Sequence, residues 1–124
     1  MATLNETDRG AGVVLSAAQT GNADSTNTAD RGQFSGRPGA LVVTSAVGAT
    51  PTVTVNIQGS VDGVNFFNLP YALVATPSTF VVAAITITTA VITTYLLQVD
   101  QAWRYVKLNY SANTNVTLTA TAFV

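Results

Sequence analysis

Residues 52–58 read Thr-Val-Thr-Val-Asn-Ile-Gln, and apolar side chains occupy every second position. In a β-strand, successive side chains point to opposite faces, so Val53, Val55 and Ile57 would share one face. Strict alternation over seven residues predicts a strand with one buried side. Residues 115–123 repeat the pattern around Val116 and Leu118 and predict a second such strand.

The composition of the whole chain agrees with this β prediction. The chain has 124 residues, among them 20 threonines and 17 valines. Both residue types are branched at Cβ, which disfavours helices and suits a pleated surface. Charged residues make up only 9% of the chain, against roughly 25% in ordinary soluble domains. An uncharged and apolar surface is poorly protected against association, so we expect a partner to cover part of it.

Working outward from residues 52–58, the sequence predicts about eight short strands. Asp62-Gly63 and Pro70 mark two of the turns between them. The predicted strands are residues 12–18, 40–47, 52–58, 64–69, 80–88, 92–99, 103–110 and 115–123. This spacing favours an antiparallel β-sandwich, and a jelly-roll and an immunoglobulin-like arrangement fit it equally.

The N-terminal third differs from the rest of the chain. Seven of the eleven charges fall in residues 1–37, and residues 19–33 are almost free of apolar side chains. We expect an extended arm (residues 1–9), the first strand and a long polar loop within residues 1–39. Residues 40–124 would form the sandwich body of a single domain.

Several functional classes are disfavoured by missing residue types. The chain has no histidine and no cysteine, which removes the commonest proton-transfer group, thiolate nucleophiles and the commonest transition-metal ligands. We therefore predict no enzymatic activity, no cofactor and no metal site. A net charge of −1 argues against nucleic-acid binding. The longest apolar run, residues 80–85, is too short for a membrane-spanning helix. No signal peptide is evident at the N-terminus, so we expect synthesis in a cytoplasm.

Six residues are candidates for contact with a partner. Arginine forms bidentate pairs with carboxylates at interfaces, which points to Arg9, Arg31 and Arg37 as polar anchors. Trp103, Tyr105 and Lys107 alternate on one face of a predicted strand. Aromatic side chains with a polar companion could stack on a sugar ring or anchor a protein, whereas a buried role for Trp103 and Tyr105 is the simpler alternative.

A calcium loop is a further alternative for the polar segment. Oxygen-bearing side chains alternate there at Asn22, Asp24, Thr26, Thr28 and Asp30. The segment lacks the central glycine and the final glutamate of an EF-hand, so a loop of turn-forming residues is the favoured interpretation.

Several stretches together resemble small virion proteins of tailed bacteriophages. They are GALVV (residues 39–43), TPTVTVNIQGS (50–60), the Asp62-Gly63 turn followed by Phe66 and Phe67, YLLQV (95–99) and WRYVKL (103–108). The resemblance implies a head decoration (cement) protein, often trimeric on the capsid surface, or a minor neck or tail protein. It implies no catalytic residues.

The sequence therefore predicts a structural virion protein that binds and stabilises a phage head. Its partners would be the major capsid protein and copies of itself, as a homotrimer, and its location the capsid surface after assembly in the host cytoplasm. A carbohydrate- or receptor-binding module of a fibre or tail tip, using Trp103, Tyr105 and Lys107, is an alternative. A neck or tail component is another.

Overall fold

The computed structural model describes residues 12–31, 39–97 and 103–124. These ranges contain β-strands and no α-helix, and all pairs between the strands are antiparallel. The strands are β1 (Val13–Gln19), β2 (Ala23–Asp24), β3 (Ala29–Asp30), β4 (Gly39–Ser60), β5 (Phe66–Asn68), β6 (Tyr71–Leu73), β7 (Ile85–Ile87), β8 (Ile92–Leu97) and β9 (Tyr105–Phe123). The predicted all-β, antiparallel class is confirmed. Within the described ranges, no helix is long and apolar enough to span a membrane.

Two long strands, β4 and β9, form the centre of the sheet. They pair from Ala40 opposite Phe123 to Ser60 opposite Tyr105. The sequence predicted two separate strands in each, divided at residues 48–51 and 111–114. That division was wrong, because each segment continues as one strand of 22 or 19 residues.

The predicted turns are irregularities inside these long strands. The register shifts after Val47, and Thr50, Ala112 and Asn115 adopt positive φ angles of 43°, 51° and 54°. The irregular stretches of β4 and β9 lie across from each other, and Asn115 Nδ2 donates to the carbonyl oxygen of Ala49 at 2.7 Å. Facing bulges absorb the turn-forming residues, so neither strand ends there.

The bulges divide the sheet into two halves. The first half contains residues 39–47 of β4 and 116–123 of β9, in the order β1-β9-β4-β8-β6. The second half contains residues 52–60 of β4 and 105–110 of β9, with β2 and β3 on β9 and β5 and β7 on β4. The hydrogen bonds form one continuous sheet rather than two. The sandwich arrangement, jelly-roll or immunoglobulin-like, remains a prediction.

One core runs through both halves. The inward faces predicted for residues 52–58 and 115–123 are confirmed, since their apolar positions are buried. Residues of β1, β3, β4, β8 and β9 belong to the same buried cluster. Burying one valine or leucine side chain contributes about 1.5–3 kcal/mol. The hydroxyls of Ser16 in β1 and Tyr110 in β9 form a buried hydrogen bond of 2.8 Å that joins the halves.

The polar segment within residues 19–33 is more ordered than a free loop. It contains the two-residue strands β2 and β3, which both pair with β9. Leu15 and Ala29 lie in the common core, so residues 13–31 belong to the same sheet as the body. The predicted arm, residues 1–9, lies outside the described residues.

Candidate functional site

Among the residues that the structure describes, the charged side chains all lie in one half of the sheet. The charged residues in the described part of the chain are Asp24, Asp30, Arg31, Asp62, Arg104 and Lys107. They lie on β2, on β3 or directly after it, in the turn after β4, and on or directly before the first residues of β9. Every one of these positions belongs to the second half, so the strands of the first half carry no charged side chain.

The outer side of the first half is consequently an uncharged sheet surface. One row across the strands runs Val14–Thr121–Val42–Thr94, in which neighbours pair directly. Two residues further along each strand, the next outward-pointing side chains form similar rows. The side chains at the positions between these rows point into the core. We call this surface the uncharged face; it consists of Val14, Ala40, Val42, Thr44, Ile92, Thr94, Leu96, Thr119, Thr121 and Phe123, all half-buried or exposed.

The uncharged face contains a strongly exposed aliphatic side chain. Ile92, at the start of β8 opposite Thr44, is 70% exposed. At the neighbouring β6 edge, Leu73, Val74 and Val82 are exposed as well. The largest apolar patches of monomeric proteins measure roughly 300–600 Å² and often serve a function. A surface of this kind can bind an apolar, uncharged partner.

The second half carries a groove of about 490 Å³. Tyr105 and Lys107 of β9 line it between two walls. One wall is the segment from Asp24 to Asp30, and the other consists of the turn that contains Asp62 together with Phe66 at the start of β5. We call this depression the charged groove.

Ion pairs hold the first wall against β9. Lys107 Nζ donates to Asp24 Oδ2 at 2.7 Å, and Asn109 Nδ2 donates to Asp24 Oδ1 at 2.9 Å. These hydrogen bonds, Asn109 first and then Lys107, lower the pKa of Asp24 below its ordinary value. Arg104 makes a bidentate pair with Asp30, with distances of 2.8 and 3.1 Å. Both acidic side chains are therefore oriented before any ligand arrives.

Asp62 holds the second wall. Its Oδ1 accepts the backbone N–H groups of Val64 and Asn65, each at 2.8 Å, and the hydroxyl of Ser60 at 2.9 Å. These bonds, with one from the Asn65 amide, hold the pKa of Asp62 far below its usual range. Gly63 has a positive φ of 80°, and a Cβ there would lie 3.3 Å from the Tyr105 ring, so the turn sits directly on that ring. Hydrogen bonds within the chain thus hold both walls of the groove.

Two of the six predicted contact residues lie in the interior. Arg31 is 1% exposed and Trp103 is 3% exposed. The guanidinium carbon of Arg31 lies 3.6 Å from the centroid of the Trp103 ring, and its Nε donates to the Trp103 carbonyl oxygen at 2.7 Å. Burial lowers the pKa of Arg31. The expected surface position of Arg31 is corrected, since its side chain packs on Trp103 inside the fold. For Trp103, the simpler alternative of a buried role agrees with the structure.

The other predicted residues have different outcomes. Tyr105 and Lys107 line the charged groove, so the structure brings these two together. Arg9 and Arg37 lie outside the described residues. No site role was predicted for Phe66, whose ring centroid lies 4.1 Å from Lys107 Nζ. The ion pairs of the groove could have been suspected from the sequence, because residues 24–30 contain two aspartates and residues 104–107 contain an arginine and a lysine.

The acidic residues of the alternative calcium loop are directed elsewhere. Asp24 is bound to Lys107 and Asn109, and Asp30 to Arg104. Among the residues that the structure describes, no group of three or more acidic, histidine or cysteine side chains could hold a metal ion. A second depression of about 420 Å³ lies beside the bulges and is lined by uncharged residues such as Gly21, Val47 and Asn113.

Comparisons of this chain with protein-family models, with curated proteins and with solved structures found no match. The fold and the two surfaces are therefore the basis for any functional proposal, together with the resemblance described above.

Proposed function

We propose that this chain is a structural virion protein, specifically a capsid decoration protein that binds and stabilises a phage head. It acts by covering surface and carries out no reaction. The observation that carries the proposal is the uncharged face, an exposed sheet surface of threonine and aliphatic side chains on a chain with few charges. The resemblance of the chain from about residue 39 onward to small virion proteins supports a phage particle as the assembly, with the head as the favoured position.

Burial of the uncharged face would stabilise such an assembly without ion pairing. Covering apolar surface contributes about 25 cal/mol per Å². Because the face has no charge, a partner of either sign, or a second copy, meets it without like-charge repulsion. A standard interface buries about 1,600 Å². Smaller contacts repeated between copies and with the major capsid protein, as in a homotrimer on the shell, add up through avidity.

A matched pair of substitutions tests this proposal. Ile92→Asp places a charge on the uncharged face, whereas Val64→Asp places one on the turn after β4, where Val64 is 79% exposed. The test uses shells assembled from a phage major capsid protein, taken from a gene beside that of this chain where one is found. In co-sedimentation, Ile92→Asp should weaken binding about tenfold or more, equivalent to about 1.4 kcal/mol. Val64→Asp should bind like the wild type.

Two outcomes would contradict the proposal. One is no binding of the wild-type protein to shells, and the other is full binding by the Ile92→Asp variant with its fold intact. Electron microscopy of labelled protein on particles then gives the position. Label over the shell supports decoration, and label confined to one vertex would assign the chain to the neck or tail instead.

A further inference from the structure

The charged groove contains features that a structural role on a capsid does not require. It is a concave site of about 490 Å³, within the range of roughly 300–1,000 Å³ typical of ligand sites. It lies in the second half, away from the uncharged face. Its two aromatic side chains, Tyr105 and Phe66, are half-buried and line the depression.

The electrostatics of the groove favour a neutral ligand. Asp24 is already paired with Lys107, and Asp30 is paired with Arg104. Asp62 is held by donors of its own turn. A cationic ligand would have to compete with the chain's own cations for these carboxylates. An anionic ligand would meet three carboxylates.

The same groups can form hydrogen bonds with a ligand that carries hydroxyls. A carboxylate has about four acceptor positions, and the Asp24 carboxylate accepts one hydrogen bond on each oxygen, from Lys107 and Asn109. The Asp24 side chain is 48% exposed, so its outer positions face solvent. The ammonium group of Lys107 has three donors and makes one hydrogen bond, to Asp24. Donors and acceptors fixed in advance reduce the entropy lost on binding.

The aromatic side chains complete the chemistry of a sugar site. Lys107 Nζ lies over Phe66 at 4.1 Å, and the Arg104 guanidinium lies 5.2 Å from the centroid of Tyr105. Both aromatic side chains are half-buried, so part of each remains accessible where it lines the groove. Aromatic rings offer an apolar body beside polar groups, which matches a pyranose, whose C–H groups form apolar patches between its hydroxyls.

We propose that the charged groove binds a neutral pyranose of a glycan, with Phe66 and Tyr105 packing on the sugar ring and Asp24 and Lys107 binding its hydroxyls. The site is independent of the proposed decoration function, since it uses none of the uncharged face. A phage head that carried it could adsorb to a glycan-coated surface while the uncharged face, in the other half of the sheet, remained bound.

The test uses the whole chain on an array of neutral, anionic and cationic glycans, followed by titration calorimetry with the best neutral oligosaccharide. Phe66→Ala removes an aromatic lining residue. Phe67→Ala removes its neighbour on β5, which is 42% exposed and does not line the groove. Phe66→Ala should weaken binding about tenfold, whereas Phe67→Ala should leave it unchanged. Asp24→Asn should also weaken binding, and circular dichroism checks that each variant is folded.

Three results would overturn the inference. In the first, the wild-type protein binds no neutral glycan even at millimolar concentration. In the second, it binds charged glycans only. In the third, Phe66→Ala and Phe67→Ala lose the same amount of glycan affinity. Shell binding is measured in parallel. Loss of glycan binding in Phe66→Ala with normal shell binding supports the groove as a separate site.

Discussion

Replacement of Arg31 by alanine should be among the most destabilising single changes in this chain. The Arg31 side chain is 1% exposed, its Nε donates to the Trp103 carbonyl oxygen at 2.7 Å, and its guanidinium carbon lies 3.6 Å from the Trp103 ring centroid. A hydrogen bond from a charged donor contributes about 1.5–3 kcal/mol. A desolvated cation–π contact contributes about 2 kcal/mol.

The net cost is smaller than the sum of these contributions, because the buried cation also loses hydration when the chain folds. That burial lowers the pKa of Arg31. Alanine relieves this cost but leaves a cavity beside Trp103 and removes the charged donor from its carbonyl oxygen. We therefore predict that Arg31→Ala lowers the free energy of unfolding by about 3 kcal/mol, a large share of the 5–15 kcal/mol of a typical domain.

Trp103 is the single tryptophan of the chain, so its fluorescence reports directly on this contact. Urea unfolding followed by Trp103 emission should give the loss in stability, and the native emission of Arg31→Ala should shift to the red as water reaches the indole. Arg31→Met is the matched control. It fills the volume without the hydrogen bond or the charge, and it should cost about half as much. A free energy of unfolding for Arg31→Ala within about 0.5 kcal/mol of the wild-type value would refute this reasoning.

Three further predictions concern the turn, the core and the link between the halves. Asp62 has a pKa below its ordinary value of 3.8. The ionised Asp62 side chain therefore contributes its full stabilisation above pH 3.8, and this contribution is lost as the pH falls towards and through the lower pKa of the folded state. Between pH 7 and pH 2, the melting temperature of Asp62→Asn should consequently fall less than that of the wild type. Gly59→Ala places a Cβ 2.7 Å from a methyl group of the buried Leu69. It should cost about 1–3 kcal/mol in urea, and a smaller residue at position 69 should recover part of that; no recovery would contradict the proposed clash. Tyr110→Phe removes the buried bond to Ser16 and should cost about 1 kcal/mol. A double-mutant cycle with Ser16→Ala checks it, and a coupling energy near zero would count against the link.

The sequence was most informative where side chains alternate without interruption. In residues 52–58 and 115–123, period-2 patterning identified the inward faces correctly, because burial alone decides which side of a strand is apolar. It failed at residues 48–51 and 111–114. Glycine, proline and asparagine are turn formers locally, but here the two irregular stretches face each other and the ladder resumes beyond them. Only the pairing of β4 with β9 reveals this.

The candidate site was predictable in part. Tyr105 and Lys107 were assigned to one face of a strand, and they do share the charged groove. Arg31 was predicted to be a surface anchor because arginine pairs with carboxylates at interfaces, but it packs on Trp103, which lies 72 residues away along the chain. The pairing of Asp24 with Lys107 spans 83 residues. Contacts of this range depend on strand order, which the sequence pattern did not provide.

The most direct test of the proposed role is whether the uncharged face is covered in the assembled particle. The chain has no cysteine, so a single one introduced by Thr119→Cys on the uncharged face, or by Val64→Cys on the turn after β4, can be labelled specifically with a maleimide. Labelling rates are compared for the free protein and for shells that carry it. Binding through the uncharged face predicts strong protection at position 119 and an unchanged rate at position 64. Equal rates at position 119 in the free and the bound protein would contradict it.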